Sequence, residues 1–120
     1  MTLGERIREL RTAQELTQRD AASRAGIDFT YLSKIENGKL ARSDYPSEKL
    51  IRKLAKVLNG DTDELLLLAE KVPDSIRRRA MERPDAFLAI ATCDDETLDK
   101  LMAKIGKTPV PREVVKKKAK

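Results

Sequence analysis

The chain has 120 residues, 40% of them hydrophobic and 3% aromatic, which suffices for one small aliphatic-cored domain with an appendage. No apolar run approaches the roughly 20 residues of a membrane span. No apolar signal-peptide core opens the chain, and the single cysteine excludes an internal disulfide framework, so the expected location is a reducing cytoplasm.

The formal charge of +5 is unevenly placed. Residues 1–72 carry 13 Lys/Arg and 12 Asp/Glu, residues 73–105 carry 6 and 7, and residues 106–120 carry 6 and 1. The last segment therefore accounts for the whole excess. A high isoelectric point does not make the body of this protein basic, and any affinity for a polyanion has to come from local placement of charge.

Thr2-Leu3-Gly4-Glu5 has the form of a capping box, a hydroxyl followed three residues later by a carboxylate. It opens a first predicted helix with Leu3, Ile7 and Leu10 on one stripe. Gln14-Glu15-Leu16 interrupts that pattern as a connection. Thr17 with Asp20 repeats the capping signal, and a second helix follows to about Arg24, with Ala21, Ala22 and Ala25 forming a small apolar face. Gly26 stands where the helix must stop and the chain must turn, a conformation glycine reaches at little cost. Ile27 is an apolar plug, and Asp28 is expected to cap the next helix. The third helix spans about Phe29 to Asn37, with Leu32 and Ile35 on its buried side and Phe29, Thr30, Ser33 and Lys34 on the opposite side. Two helices joined at a steep angle, with one polar face left free, can insert that face into the DNA major groove.

Residues 39–47 read as a loop ending in a Ser47 cap. The fourth helix places Leu50, Ile51, Leu54, Ala55 and Leu58 at helical spacing and stops at Asn59-Gly60. The fifth begins on the carboxylates of Asp61, Asp63 and Glu64 and continues into Leu65-Leu66-Leu67-Leu68. A helix apolar all round must be covered on more than one side. Pro73 marks a boundary. Residues 74–82 and 85–92 read as two short helices, and a third runs from about Asp95 to Ile105 with Leu98, Leu101, Met102 and Ile105 as its apolar face. From Gly106 onward, prolines and the Lys116-Lys117-Lys118 run predict a disordered basic tail that adds non-specific attraction for DNA. No alternation is long enough for a strand. The expected fold class is all-α, with a five-helix domain over 1–72, a helical segment over 73–105 and a tail over 106–120.

Catalytic chemistry finds little support. Without histidine the usual neutral-pH base and metal ligand is missing. One cysteine cannot build a structural zinc site, and the glycines at 4, 26, 38, 60 and 106 are isolated rather than gathered in a phosphate loop. No cofactor and no metal site are expected. Arg77-Arg78-Arg79 reads as a solvated face, Cys93 as a partly buried small residue, and Asp94-Asp95-Glu96 as helix-start carboxylates.

Residues 3–68 resemble the helix-turn-helix family of the phage lambda and 434 repressors and Cro, the Xre type. The resemblance rests on Leu16-Thr17-Gln18, on the Ala22 to Gly26 spacing, and on Tyr31-Leu32-Ser33-Lys34-Ile35-Glu36-Asn37-Gly38, which occur together and in order. It implies a five-helix lambda-repressor-like DNA-binding domain. It further implies that Phe29, Thr30 and Lys34 face the bases, with Ser33 at the border. Gln18 would clamp a phosphate, Asn37, Lys39 and Arg42 would follow the backbone, and Arg11 and Glu36 would form a buried ion pair from which Arg11 can also reach a phosphate. Phe29 departs from the polar residue common at its position. A phenyl ring cannot read donors and acceptors, so Phe29 either packs on a thymine methyl or supports the helix without touching DNA.

The resulting expectation is a homodimeric repressor that binds double-stranded DNA at a pseudo-palindromic operator through the major groove. The C-terminal helices, and Leu98, Leu101, Met102 and Ile105 in particular, would make the dimer. Alternatives in the same chemistry are an antitoxin, a defence-operon controller or a phage regulator, whose C-terminal helices hold a protein partner from the same operon. A different class is an interaction module that no longer binds DNA.

Overall fold

The computed structural model describes residues 1–108. Among the described residues there are eight α-helices and no strand. The all-α expectation therefore holds for them, and the expected tail falls largely outside them, including Lys116-Lys117-Lys118. The chain divides into two compact units after Pro73.

The first unit contains α1 (Leu3–Ala13), α2 (Gln18–Ala25), α3 (Phe29–Glu36), α4 (Glu48–Leu58) and α5 (Thr62–Leu68). Both capping boxes form: Thr2 Oγ1 accepts from the Glu5 amide, and the Glu5 carboxylate accepts from the Thr2 amide at 2.8 Å. Thr17 and Asp20 do the same at the start of α2. Gly26 turns the chain between α2 and α3 in the left-handed region, at φ 70°.

Asp28 departs from expectation. It occupies the N-cap position of α3 with extended backbone but makes no side-chain cap hydrogen bond. The neighbouring caps do close: the Ser47 hydroxyl accepts from the Leu50 amide, and the Asp61 carboxylate accepts from the Asp63 and Glu64 amides. The loop between α3 and α4 is not plain coil either. It contains one 3-10 turn, Arg42–Asp44, and the Tyr31 hydroxyl donates to the Asp44 carbonyl at 2.8 Å. Burial, followed by the nearby Asp44 charge, raises the Tyr31 pKa, so the phenol stays protonated and able to donate.

Every helix of this unit contributes to its core. Ile7, Leu32, Ile51, Leu54, Leu58 and Leu65 are fully enclosed, and Ala21, Ala22 and Ala25 let α2 approach closely. Contacts run from α4 to α5, from α1 to α3, α4 and α5, and from α2 to α3 and α4. The four leucines of α5 divide: Leu65 and Leu66 are buried, Leu68 packs on the core rim, and Leu67 is 45% exposed.

The second unit contains α6 (Asp74–Glu82), α7 (Pro84–Ala91) and α8 (Asp95–Lys104). Its chemistry is opposite to that of the first: no residue of these three helices is buried. Met81, Leu88 and Ile105 are each more than two-thirds exposed.

Candidate nucleic-acid interface

The exposed side of α3 is set by its buried side. Leu32, Ile35 and Glu36 point into the unit, and the 100° step of a helix then turns Thr30 and Lys34 outward, with Ser33 half-buried at the edge. Asn37 and Lys39 follow, exposed, where the helix ends. Lys34 and Lys39 form no ion pair among the described residues. Arg42, in the 3-10 turn, lies 2.6 Å from Glu70 in an exposed pair. Such pairs are worth about 0–1 kcal/mol and leave the guanidinium easily recruited by another anion.

Beneath this surface sits one buried carboxylate. The Glu36 side chain is fully covered and accepts from three residues. Arg11 approaches with Nε 2.7 Å from Oε2 and Nη2 3.0 Å from Oε1. Gln18 Nε2 donates to Oε1 at 3.0 Å, and Arg8 Nε donates to the same oxygen at 3.3 Å. Burial alone would raise the Glu36 pKa; hydrogen bonds from Arg11, Gln18 and Arg8, with the charge of Arg11, outweigh it and hold the carboxyl below its ordinary value. The third Arg11 nitrogen, Nη1, donates to the Leu16 carbonyl at 2.8 Å. Arg11 is thus built into the frame, joining α1, the turn before α2 and α3.

Arg8 is a cation that sequence reasoning passed over. It stands one turn before Arg11, is about half exposed, and also donates through Nη2 to Asn37 Oδ1 at 2.9 Å. Asn37 in turn donates to the Ser33 hydroxyl at 3.3 Å. Arg8, Asn37 and Ser33 therefore form a polar chain along the end of α3. The three-residue spacing from Arg8 to Arg11 was the available signal, because it puts both guanidiniums on one side of α1. With two arginines around one carboxylate, the cluster carries an excess positive charge next to the exposed end of the helix.

A second unanticipated arginine stands at the other end. Arg19, the second residue of α2, places its guanidinium carbon 4.4 Å from the centroid of the Phe29 ring. Phe29 is itself half-buried and packs against the core. The first two residues of α2 consequently flank α3, Gln18 reaching Glu36 at its C-terminal end and Arg19 reaching Phe29 at its N-terminal end.

Residues 7–65 match the model of the family described as Helix-turn-helix. The chain carries an Xre-type helix-turn-helix domain. A curated relative, the "Uncharacterized HTH-type transcriptional regulator RghRB" of Bacillus subtilis (strain 168), is 39% identical over 77 residues. That match covers 62% of this chain and 53% of the relative, so the chain spans about half the length of the curated relative it matches. Within the matched residues, α2 and α3 are joined by the Gly26 turn, and α3 keeps one polar side exposed. Among the described residues no group of His, Cys, Asp and Glu could hold a metal ion, and no helix is long and apolar enough to cross a membrane.

Proposed function

We propose that this protein is a DNA-binding transcriptional regulator, a homodimeric repressor that lays α3 in the major groove of a pseudo-palindromic operator. The observation that carries this reading is the polar, outward side of α3, fixed by the Glu36 cluster and carrying Lys34 and, just past its end, Lys39, which form no ion pair among the described residues. Thr30, Ser33 and Lys34 are the proposed base-facing residues. Gln18, Asn37, Lys39 and Arg42 are proposed to hold phosphates. Arg11 supports the frame, with Arg8 the more accessible cation of the pair. Repression follows from occlusion of a promoter, and the work is binding rather than catalysis.

Dimerisation follows from energetics. One module buries only about 600–1,000 Å² on DNA. Two modules whose α3 helices lie about 34 Å apart double the contacts and read a half-site each. The helices proposed to pair the modules are α6–α8, where Met81, Leu88, Ile90, Leu101 and Ile105 are exposed. Leu98 and Met102 are half-buried, and Leu101 and Ile105 are exposed, on the α8 face proposed for pairing.

Selection of bound duplexes from a random pool, with affinity measured against salt, tests this function. Enrichment of a two-fold-related site and a steep fall of affinity with salt are expected. Thr30→Ala with Lys34→Ala should weaken the enriched site and blur its base preference. Unchanged affinity and preference in that double variant would remove α3 from the contact.

A further inference from the structure

The N-terminal end of α3 lacks a strong hydrogen-bond donor of its own, since its N-cap residue, Asp28, is an exposed carboxylate that only accepts. Its first residue is Phe29, whose ring offers neither donor nor acceptor, and the next exposed residue, Thr30, offers one hydroxyl. In helix-turn-helix domains the N-terminal residues of the second helix approach the base edges. The structure supplies a donor there from the neighbouring helix, because the Arg19 guanidinium lies over the Phe29 ring at 4.4 Å. That distance is well inside the roughly 6 Å limit for a cation–π contact.

We propose that Arg19, held on Phe29, is a base-reading residue that selects guanine at one position of each half-site. This proposal rests on the DNA-binding reading above. Three features support the assignment. Arg19 is exposed and forms no ion pair among the described residues, in contrast to Arg6, Arg8, Arg11 and Arg42. The ring holds the guanidinium through its face and uses none of its five N–H donors, which stay free for a ligand. The ring is anchored, since Phe29 packs against the core, so the arginine rests on a fixed platform rather than a mobile side chain. A fork of N–H donors presented at a major-groove edge matches the paired O6 and N7 acceptors of guanine. Phe29 thereby acts as a positioning residue, and its aromatic face explains why a ring can stand where a polar reader is otherwise expected.

The test is site selection from random duplexes by the full chain and its variants, followed by affinity measurements on duplexes substituted at each position. Wild-type protein is expected to require guanine at one symmetry-related position. Arg19→Ala should lose about 10–100-fold affinity for the selected site and accept any base at that position. Arg19→Lys keeps the charge without the fork, and should lose the guanine preference while retaining the salt dependence. Phe29→Leu removes the ring face and should weaken the same preference, Phe29→Tyr should restore it, and Phe29→Leu should add nothing at that position in an Arg19→Ala background. If Arg19→Ala weakens every duplex equally and leaves the base profile intact, Arg19 is a phosphate contact and the proposal is overturned. If Phe29→Leu keeps full guanine preference in a protein that still melts cooperatively, the platform role is overturned. If wild-type protein enriches no sequence at all, the DNA-binding reading falls with it, an outcome distinct from a selected site that ignores Arg19.

Discussion

Arg11 and Glu36, 25 positions apart in sequence, meet through two hydrogen bonds in the interior of the domain, and the carboxylate they share is fully covered. A buried ion pair adds little net stability compared with well-packed apolar residues, but removing one partner strands the other. Glu36→Gln leaves Arg11 without its counter-charge and disturbs the bonds to Gln18 and Arg8. We expect a loss of about 3–5 kcal/mol, read as a lower midpoint in urea unfolding with little change in slope. The variant should also bind DNA more weakly than its residual fold accounts for, because three elements lose their common anchor.

The same carboxylate sets a pH dependence. Its pKa in the folded protein lies below its unfolded value, so the folded state favours the deprotonated form. The associated stabilisation is complete above the unfolded value, near about 4.3, and is lost as pH falls through the folded value. Stability should therefore decline below about pH 4 more steeply in the wild type than in Glu36→Gln, where this group no longer titrates. Thermal melts at a series of acidic pH values test the difference; parallel curves would assign the acid sensitivity to other carboxylates.

Gly4 constrains the same junction from the backbone side. A Cβ there would collide with the Ile35 carbonyl oxygen and come within 2.7 Å of the Glu36 carbonyl oxygen. Both obstacles are main-chain atoms at the end of α3, so no side chain can swing away. Gly4→Ala should force α1 from α3 and cost about 1–3 kcal/mol, despite alanine's better helix propensity. A gain in melting temperature would mean that the helices separate without penalty.

Helix capping gives a contrast within one chain. Ser47 accepts from the Leu50 amide, whereas Asp28 makes no side-chain cap bond. Ser47→Ala should cost about 1 kcal/mol. Asp28→Ala should cost far less, although both positions read as caps from sequence. Chemical denaturation of the two variants side by side checks the ranking.

That contrast marks what local sequence can carry. Capping boxes at Thr2 and Thr17, the Gly26 turn and the apolar spacing of α4 are local signals, and each forms as its spacing implies. The resemblance to the Xre type pointed to Glu36 and Arg11 because their motif positions were recognisable. Arg8 had a signal in its spacing from Arg11, but Arg19 and the close approach at Gly4 were not legible, since each depends on how two helices cross. Arg19 and Phe29 are ten residues apart on different helices, and only the turn at Gly26 brings the cation over the ring. Gly4 read as part of a cap; its role in clearance appears only once α3 lies across it.

The two units also differ in what they need in order to fold. Among the described residues, every buried hydrophobic side chain lies between Leu3 and Ala69, so the first unit holds a complete core. Chain truncated after Pro73 should unfold cooperatively at nearly the full-length midpoint. Helices α6–α8 contain no fully buried residue, and a short segment without a closed core does not order alone at useful stability. If these helices pair two copies, the truncated protein should sediment as a monomer and bind the selected site at least about tenfold more weakly, the loss expected when a second module no longer contributes by avidity. Leu101→Asp with Ile105→Asp in the full chain should reproduce that behaviour, because charges on an apolar pairing face oppose burial. A truncated protein that stays dimeric would move the contact into the first unit, where the exposed Leu67 of α5 is the apolar residue to replace next.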